Sequence, residues 1–436
     1  MNLHSRLREL STLFALGTLI RFLFSFWTGH PWDFEVFIRV GYYIAHGASL
    51  YQSVFYPVAG LGQPIHPFVS GLGYLPIWGL YLALVYKIYS LAPLSPFLYY
   101  ALIKALPILG DAGSTYILYD LIRSKQTVNE AKKKAIMVFL CPFIIFISSV
   151  WGMFDSVAIF FTLLSVWFLL RNRIYSSSFS LGVGIFFKII PALYLPIQVI
   201  FVSRKHDLFK GAMHLLIAFL TPLAFTLLPT GLLGWNISKA FVPVLSQTDK
   251  LGDSLTYWNF RPLIKALSTT DISTELDAFF SFPLIRYMWL LGLLVCYVSF
   301  LANEYNDPKS LKANDDLKIL AKWFFFVTIS FLLTRVFIPE QFVIYLLFPM
   351  VILVGNHLST RDFNVLWILT LAFALVNTFP TAFAYLVKPD YWYTFSFYSN
   401  TAPFSTWRYL ARFIIAALFD LYLARILLRG NKSWEK

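Results

Sequence analysis

Apolar positions come in long runs along this chain, separated by short polar turns, from residue 9 to residue 428. A helix needs roughly 20 such residues to cross a hydrocarbon layer, so the runs predict membrane-spanning helices. The predicted crossings are 9–27, 97–122, 135–150, 155–171, 210–233, 283–303, 320–337, 340–356, 364–386 and 407–428. The expected fold is an all-α polytopic membrane protein, a bundle of about ten full crossings in one domain over residues 1–436. No span between the runs has room for a separate soluble domain. A transmembrane barrel would alternate apolar and polar residues, and this chain does not.

Two further apolar stretches, 68–92 and 178–203, do not fit single crossings. If each crossed once, Arg123, Lys125 and Lys132 to Lys134 would face one side and Arg204, Lys205 and Lys210 the other. Read as re-entrant or hairpin segments, they bring every basic cluster to one side, as the positive-inside rule requires. Pro76 with Gly71 and Gly73, and Pro191 with Pro196, are the expected breaks. Non-helical backbone at that depth is tolerated only beside protein or a watery cavity, which places a cavity there. Both termini are then cytoplasmic, and three long segments face outward: 28–67, 234–282 and 387–406. In the first, Phe34, Phe37, Ile38, Val40, Gly41 and Ile44 form an apolar face opposite Arg39, Tyr43 and His46. That pattern predicts an amphipathic helix lying on the outer membrane surface and ended by Gly47. Tyr391, Trp392, Tyr393 and Trp407 fit an interfacial aromatic belt.

Composition sharpens the picture. Of the 436 residues 58% are hydrophobic and 13% charged, about half the charge of a soluble domain. The net charge of +13 is spread over short loops, so it sets membrane orientation and does not point to nucleic acid. Cys141 and Cys296 both lie in apolar segments, and no disulfide framework is expected. The first apolar run follows Arg6 and Arg8 and carries Arg21 inside it, so it reads as a retained helix and not a cleaved signal. No phosphate-binding Gly-rich loop, HExxH or paired CxxC is present, which removes nucleotide-driven pumps and zinc proteases.

The candidate chemistry is scattered along the chain. Asp33 and Glu35 follow the first helix, where a carboxylate can take a proton from an acceptor hydroxyl. Together they can also hold a divalent metal, Mg or Mn, on a phosphate, or simply favour a helix N-terminus. Asp111 and Lys104, seven residues apart, are intramembrane polar groups with either a functional role or a structural one, as is Arg21. Asp155, near Trp151, can bind a sugar hydroxyl or cap the next helix. Lys188 sits in the second broken stretch and faces either a cavity or a carboxylate. With Arg335 and Arg261 it can hold a phosphate, though each such cation can instead snorkel to lipid headgroups. His66, Trp151, Asp155, Glu340 and Gln341 are candidates for acceptor or sugar contacts.

The order of these motifs resembles the GT-C superfamily, polytopic glycosyltransferases that use lipid-phosphate sugars. The nearest likeness is to the catalytic subunit of GPI mannosyltransferase I and to prokaryotic polyprenol-phosphate-mannose-dependent mannosyltransferases. The motifs are Asp33-Phe34-Glu35-Val36-Phe37, Gly47 to Tyr51, Asp111 to Tyr119, Trp151 to Ser156, and Lys188 to Pro191 with Leu195-Pro196-Ile197. Asn259 to Pro262 and Gln341-Phe342 complete the set. The GPI enzymes carry Asp-x-Asp in the first loop, and Pro31 stands at the first of those positions here. That leaves Asp33 as the matching base and the metal requirement open.

The resemblance implies a polyprenyl (dolichyl) phosphate sugar as donor, a hexose with mannose expected, and a glycolipid or lipid-linked glycan as acceptor. It implies inversion, with Asp33 as base and Lys188, Arg335 or Arg261 on the leaving phosphate. The site would face outward from a prokaryotic plasma membrane or into the lumen of the endoplasmic reticulum. A small membrane partner subunit is a further expectation. The rival reading is a secondary transporter or lipid-linked sugar flippase, which broken helices and buried charge also suit. Against it, both broken stretches fall before residue 210, with no counterpart in the second half.

Overall fold

The computed structural model describes residues 3–61, 66–236, 254–268, 272–305, 315–377 and 403–434, with positions 238, 239, 241, 382, 383 and 401 besides. Most of the third expected external segment, including Tyr391, Trp392 and Tyr393, lies outside the described residues, as does the middle of 234–282. Helices dominate. The sheet among the described residues is one short antiparallel pair, β1 (Val54–Phe55) against β2 (Val69–Ser70).

The chain divides into two compact units, the first being Met1–Pro191 with Leu216–Thr248 and Pro380–Phe395. It holds α1 (Leu3–Ser25), α2 (Asp33–Ala45), α3 (Pro76–Ser90), α4 (Pro96–Arg123) and α5 (Val128–Phe139). A short α6 (Pro142–Ile145) then runs into a π-helical turn, Phe146–Trp151, followed by α7 (Asp155–Leu169) and α8 (Ile174–Phe187). Local signals set the starts. The Ser95 side chain accepts from the Phe97 N–H ahead of α4, and Thr127 does the same for Glu130 ahead of α5. Pro142 cannot donate to the preceding turn, so α5 and the α6–π segment are bent by 45°. The expected crossing at 135–150 is therefore a bent one.

Three expectations need correction or refinement. The helix expected over Phe34 to Ile44 is present and ends at Gly47, which takes φ +86°. Its apolar face is covered by protein, since Phe34 to Gly41 are all buried and α2 packs against α3. Gly41 permits that approach: a Cβ there would come within 2.8 Å of the Leu82 carbonyl and would strike the Tyr99 hydroxyl. The stretch 68–92 is not a broken hairpin either. Pro76 opens α3 at its first turn, where a missing N–H costs nothing, and the residues before it are β2 and extended chain. The stretch 178–203 is broken as expected. Lys188 takes an extended conformation (φ −152°, ψ 138°), and a 3-10 turn over Ile190–Tyr194 leads to α9 (Leu195–Lys205).

The second unit is Ala192–Leu215, Asp249–Phe379 and Ser396–Lys436. After α9 and the start of α10 (Leu208–Leu232) it holds α11 (Phe260–Leu267), α12 (Ser273–Ser281), α13 (Pro283–Arg286) and α14 (Met288–Phe300). Then come α15 (Asp316–Thr334), α16 (Ile344–Leu353), α17 (Thr360–Asn377) and α18 (Phe404–Trp434). Every residue of α16 is buried. Tyr194 stacks on Phe324 at 4.2 Å and shares a 2.8 Å hydrogen bond with Thr328. On α10 and α14 the reverse holds: Leu216, Phe219, Leu220 and Leu228, and Leu291, Leu294 and Val295, are exposed rows of apolar side chains. Rows of that size suit lipid, not water. Among the described residues α10 and α15 are long and apolar enough to cross a membrane, with the bent α5–α6 pair a third candidate. Several other expected crossings appear as shorter apolar helices, such as α7, α14 and the segment Glu340–Leu353, and α4 carries buried charge.

Candidate functional site

The site is built from the turn that leaves α1. The Gly29 N–H donates to the Ala382 carbonyl at 2.9 Å, and the His30 N–H to the Trp151 carbonyl at 3.2 Å. His30 Nδ1 then accepts from the N–H groups of Trp32 and Asp33, at 3.3 and 3.2 Å, which caps the start of α2. A ring nitrogen that accepts carries a lone pair, so the proton is on Nε2. Burial lowers the His30 pKa below its usual 6.5, against the opposing pull of Asp33. The 3.4 Å approach of His30 Nδ1 to Asp33 Oδ2 is therefore two acceptors side by side, not an ion pair.

Asp33 Oδ2 accepts the indole N–H of Trp151 at 2.9 Å. Among the described residues that is the sole hydrogen bond to its carboxylate, and the side chain keeps 29% of its exposure. The Trp151 ring stacks on His30 with centroids 4.5 Å and planes 10° apart. Gly152 next takes φ +87°, and a Cβ there would meet the Phe34 ring at 2.8 Å, so glycine is needed twice over. The reversal delivers Asp155 to the first turn of α7. Asp155 Oδ2 accepts from Lys188 Nζ at 2.6 Å, with Asp155 fully buried and Lys188 nearly so. Lys188 Nζ also lies 5.6 Å from the Phe154 ring and 5.8 Å from the Tyr74 ring. Burial pushes the Tyr74 phenol well above its usual 10, and Asp33 and Asp155 both add to that rise. Tyr74 thus lies within electrostatic reach of both carboxylates.

The other polar groups of this unit are committed elsewhere. Glu35 pairs with Arg39 at 2.9 Å, and both are buried. Arg39 also donates to the carbonyls of Phe55 and His66, at 3.1 and 2.6 Å. The His66 ring meets Trp32 edge-on at 4.8 Å. Burial, Arg39 and His30 all lower the His66 pKa. Lys104 is fully buried, donates to the Thr28 carbonyl and hydroxyl at 2.6 and 3.1 Å, and lies 4.7 Å from the Phe34 ring centroid. Asp111 pairs with Arg21 at 2.8 Å, accepts from Ser148 at 2.6 Å and also from Ser156. Asp111 is thus held by a cation from α1 and not by Lys104 of its own helix.

Asp33 and Glu35 have different partners: Glu35 is held by a guanidinium while Asp33 accepts from an indole. No cluster of three or more His, Cys, Asp or Glu side chains suited to a metal occurs among the described residues.

In the second unit Arg261 pairs with Asp277. The Arg335 guanidinium lies over the rings of Phe331 and Phe342 at 5.2 and 5.7 Å. Glu340 accepts from Asn377 at 3.1 Å, and Gln341 is buried beside it. Sequence reasoning gave no role to His30 or Tyr74. His30 stands three residues before Asp33, a capping distance, but histidine is not among the usual capping residues. Tyr74 had no signal beyond its place in a Gly- and Pro-bearing segment.

No curated protein matches the chain. The glycosyltransferase family 87 profile matches residues 78–306, more than half of the 436 residues. The matched stretch takes in Lys104, Asp111, Trp151, Asp155, Lys188 and Arg261, while His30, Asp33 and Tyr74 precede it. It lends no support to the transporter reading. The chain belongs to glycosyltransferase family 87, a GT-C-like family of membrane glycosyltransferases.

Proposed function

We propose that this glycosyltransferase moves a hexose, with mannose the expected sugar, from a polyprenyl (dolichyl) phosphate donor to a glycolipid or lipid-linked glycan. The observation that carries the reading is Asp33: a partly exposed carboxylate with one directed hydrogen bond, which shares the electrostatic surroundings of Tyr74 with the buried Asp155–Lys188 pair. The mannose donor and the likeness to GPI mannosyltransferase I rest on the motif order, not on this geometry.

In the reaction the acceptor hydroxyl gives its proton to Asp33 while its oxygen attacks the anomeric carbon. The bond from that carbon to the phosphate oxygen breaks on the opposite face, so the configuration inverts. The lipid phosphate leaves with the electron pair as a monoester dianion, and a fixed cation stabilises that charge as it develops. Lys188 is the cation nearest this role, because its ammonium already holds an anionic oxygen of Asp155 at 2.6 Å, a contact for which a phosphate oxygen can compete. Arg335 and Arg261 are the remaining candidates on the donor phosphate. No step is assigned to a metal. The lipid carrier needs no nucleotide-binding domain, in keeping with the motifs the sequence lacks.

The test is transfer of radiolabelled mannose from polyprenyl-phosphate-mannose into extracted lipid by the purified protein, beside Asp33→Asn. Loss of a general base costs on the order of 100- to 10,000-fold, so the variant should fall to background while remaining folded. Equal labelling by both proteins would remove Asp33 from the mechanism.

A further inference from the structure

An aspartate at a helix start ordinarily turns its carboxylate onto the free N–H groups of the first turn. A carboxylate held by two or three backbone N–H groups is a poor base, because its charged form is strongly favoured. Asp33 opens α2 and does not do this. The cap at this end is His30 Nδ1, which takes the N–H groups of Trp32 and Asp33. The Asp33 carboxylate is left for one donor, the Trp151 indole, at 2.9 Å.

That donor is itself fixed. Trp151 ends a π-helical turn whose six residues are all buried, and its ring is packed against His30 on one side and Phe146 at 5.8 Å. Its carbonyl takes the His30 N–H, so backbone and ring contacts tie the two residues together. Single π turns inside helical segments are rare and recur at functional sites. The titratable neighbours of the carboxylate are His30 from its own loop and Tyr74 from the segment ahead of α3.

We propose that Trp151 is a positioning residue for the base. The indole N–H fixes Oδ2 and leaves Oδ1 to receive the acceptor's proton. Trp151 then acts through Asp33. This inference rests on Asp33 being the base.

The experiment replaces Trp151 with benzothienylalanine, which keeps the bicyclic ring against His30 but has sulfur in place of the N–H. Trp151→Phe is measured beside it, with Asp33→Asn as the reference. Loss of a hydrogen bond to a charged group should lower kcat about 10- to 100-fold with KM little changed. The acidic limb of the pH–rate profile should move to higher pH, because the donor no longer favours the carboxylate. A merely structural tryptophan would leave that limb in place. Wild-type kcat and limb in the benzothienylalanine protein, or a raised KM at unchanged kcat, would overturn the inference while an inactive Asp33→Asn left the base assignment standing. An active Asp33→Asn would overturn both.

Discussion

Asp33 and Asp111 are two carboxylates of the same unit that stand in opposite conditions. Asp111 is buried and answered on both oxygens, by Arg21 and Ser148 on one and Ser156 on the other. Asp33 is partly exposed, is answered by one indole N–H, and keeps the rest of its accepting capacity open. The same side chain is a cross-link in the first place and a reagent in the second. A saturated carboxylate has nothing left with which to take a proton, whereas a half-saturated one at a surface does. Glu35 sorts with Asp111 by this criterion, since its buried pair with Arg39 ties α2 to the Phe55 and His66 carbonyls.

The largest expected effect on stability therefore falls at Asp111. Asp111→Asn leaves the fully buried Arg21 guanidinium without a counter-charge, although the Gly17 and Phe139 carbonyls still accept from it. Breaking one side of a buried pair costs about 3–5 kcal/mol. Asp33→Asn should cost under about 0.5 kcal/mol, as a substitution at a partly exposed position without a buried charge partner does. Unfolding of the two variants in detergent, followed by thermal denaturation, reads the difference. Equal losses would erase the distinction between cross-link and reagent.

Glu35→Gln should come next. It leaves the buried Arg39 guanidinium without a counter-charge while the Phe55 and His66 carbonyls still accept from it, so the expected loss lies at the lower end of about 3–5 kcal/mol. Transfer should fall by less than about tenfold, far short of the loss from removing a general base. Sugar-transfer rates at saturating donor, normalised to folded protein, check it. A loss as deep as that of Asp33→Asn would put Glu35 among the reacting groups.

How much of this could be read in the sequence follows from the range of each interaction. The helices α1, α4, α7 and α10 were legible because apolar runs of the right length announce them. The placement of Asp33 at the start of α2 was legible from its position just past the first helix. The partner of Asp111 was not: it is Arg21, 90 residues away in sequence. Nothing local specifies which helix packs against which. Pro76 misled for a related reason. A proline within an apolar run reads as a break, yet at the first turn of α3 it is an initiator, and the extended residues before it decide which. The burial of α2 was hidden as well, because an amphipathic face looks alike whether lipid or another helix covers it.

The smallest effect concerns His30, which caps the start of α2. Burial favours its neutral form, so its folded pKa lies below the 6.5 of the unfolded chain. Between the two values the unfolded chain binds the proton and the folded protein does not. Stability from this group is thus complete above about pH 6.5 and is lost as pH falls through the lower folded value. Protonation would also remove the lone pair that accepts the Trp32 and Asp33 N–H groups, and would turn the 3.4 Å approach to Asp33 Oδ2 into an ion pair. Melting temperatures of the wild type and of His30→Asn, taken between pH 7.5 and 5.5, isolate this contribution from other titrating groups such as His66. Asparagine can cap a helix but cannot titrate in that range. The wild type should lose more stability than the variant on acidification. Parallel profiles would mean that His30 keeps its proton state on folding.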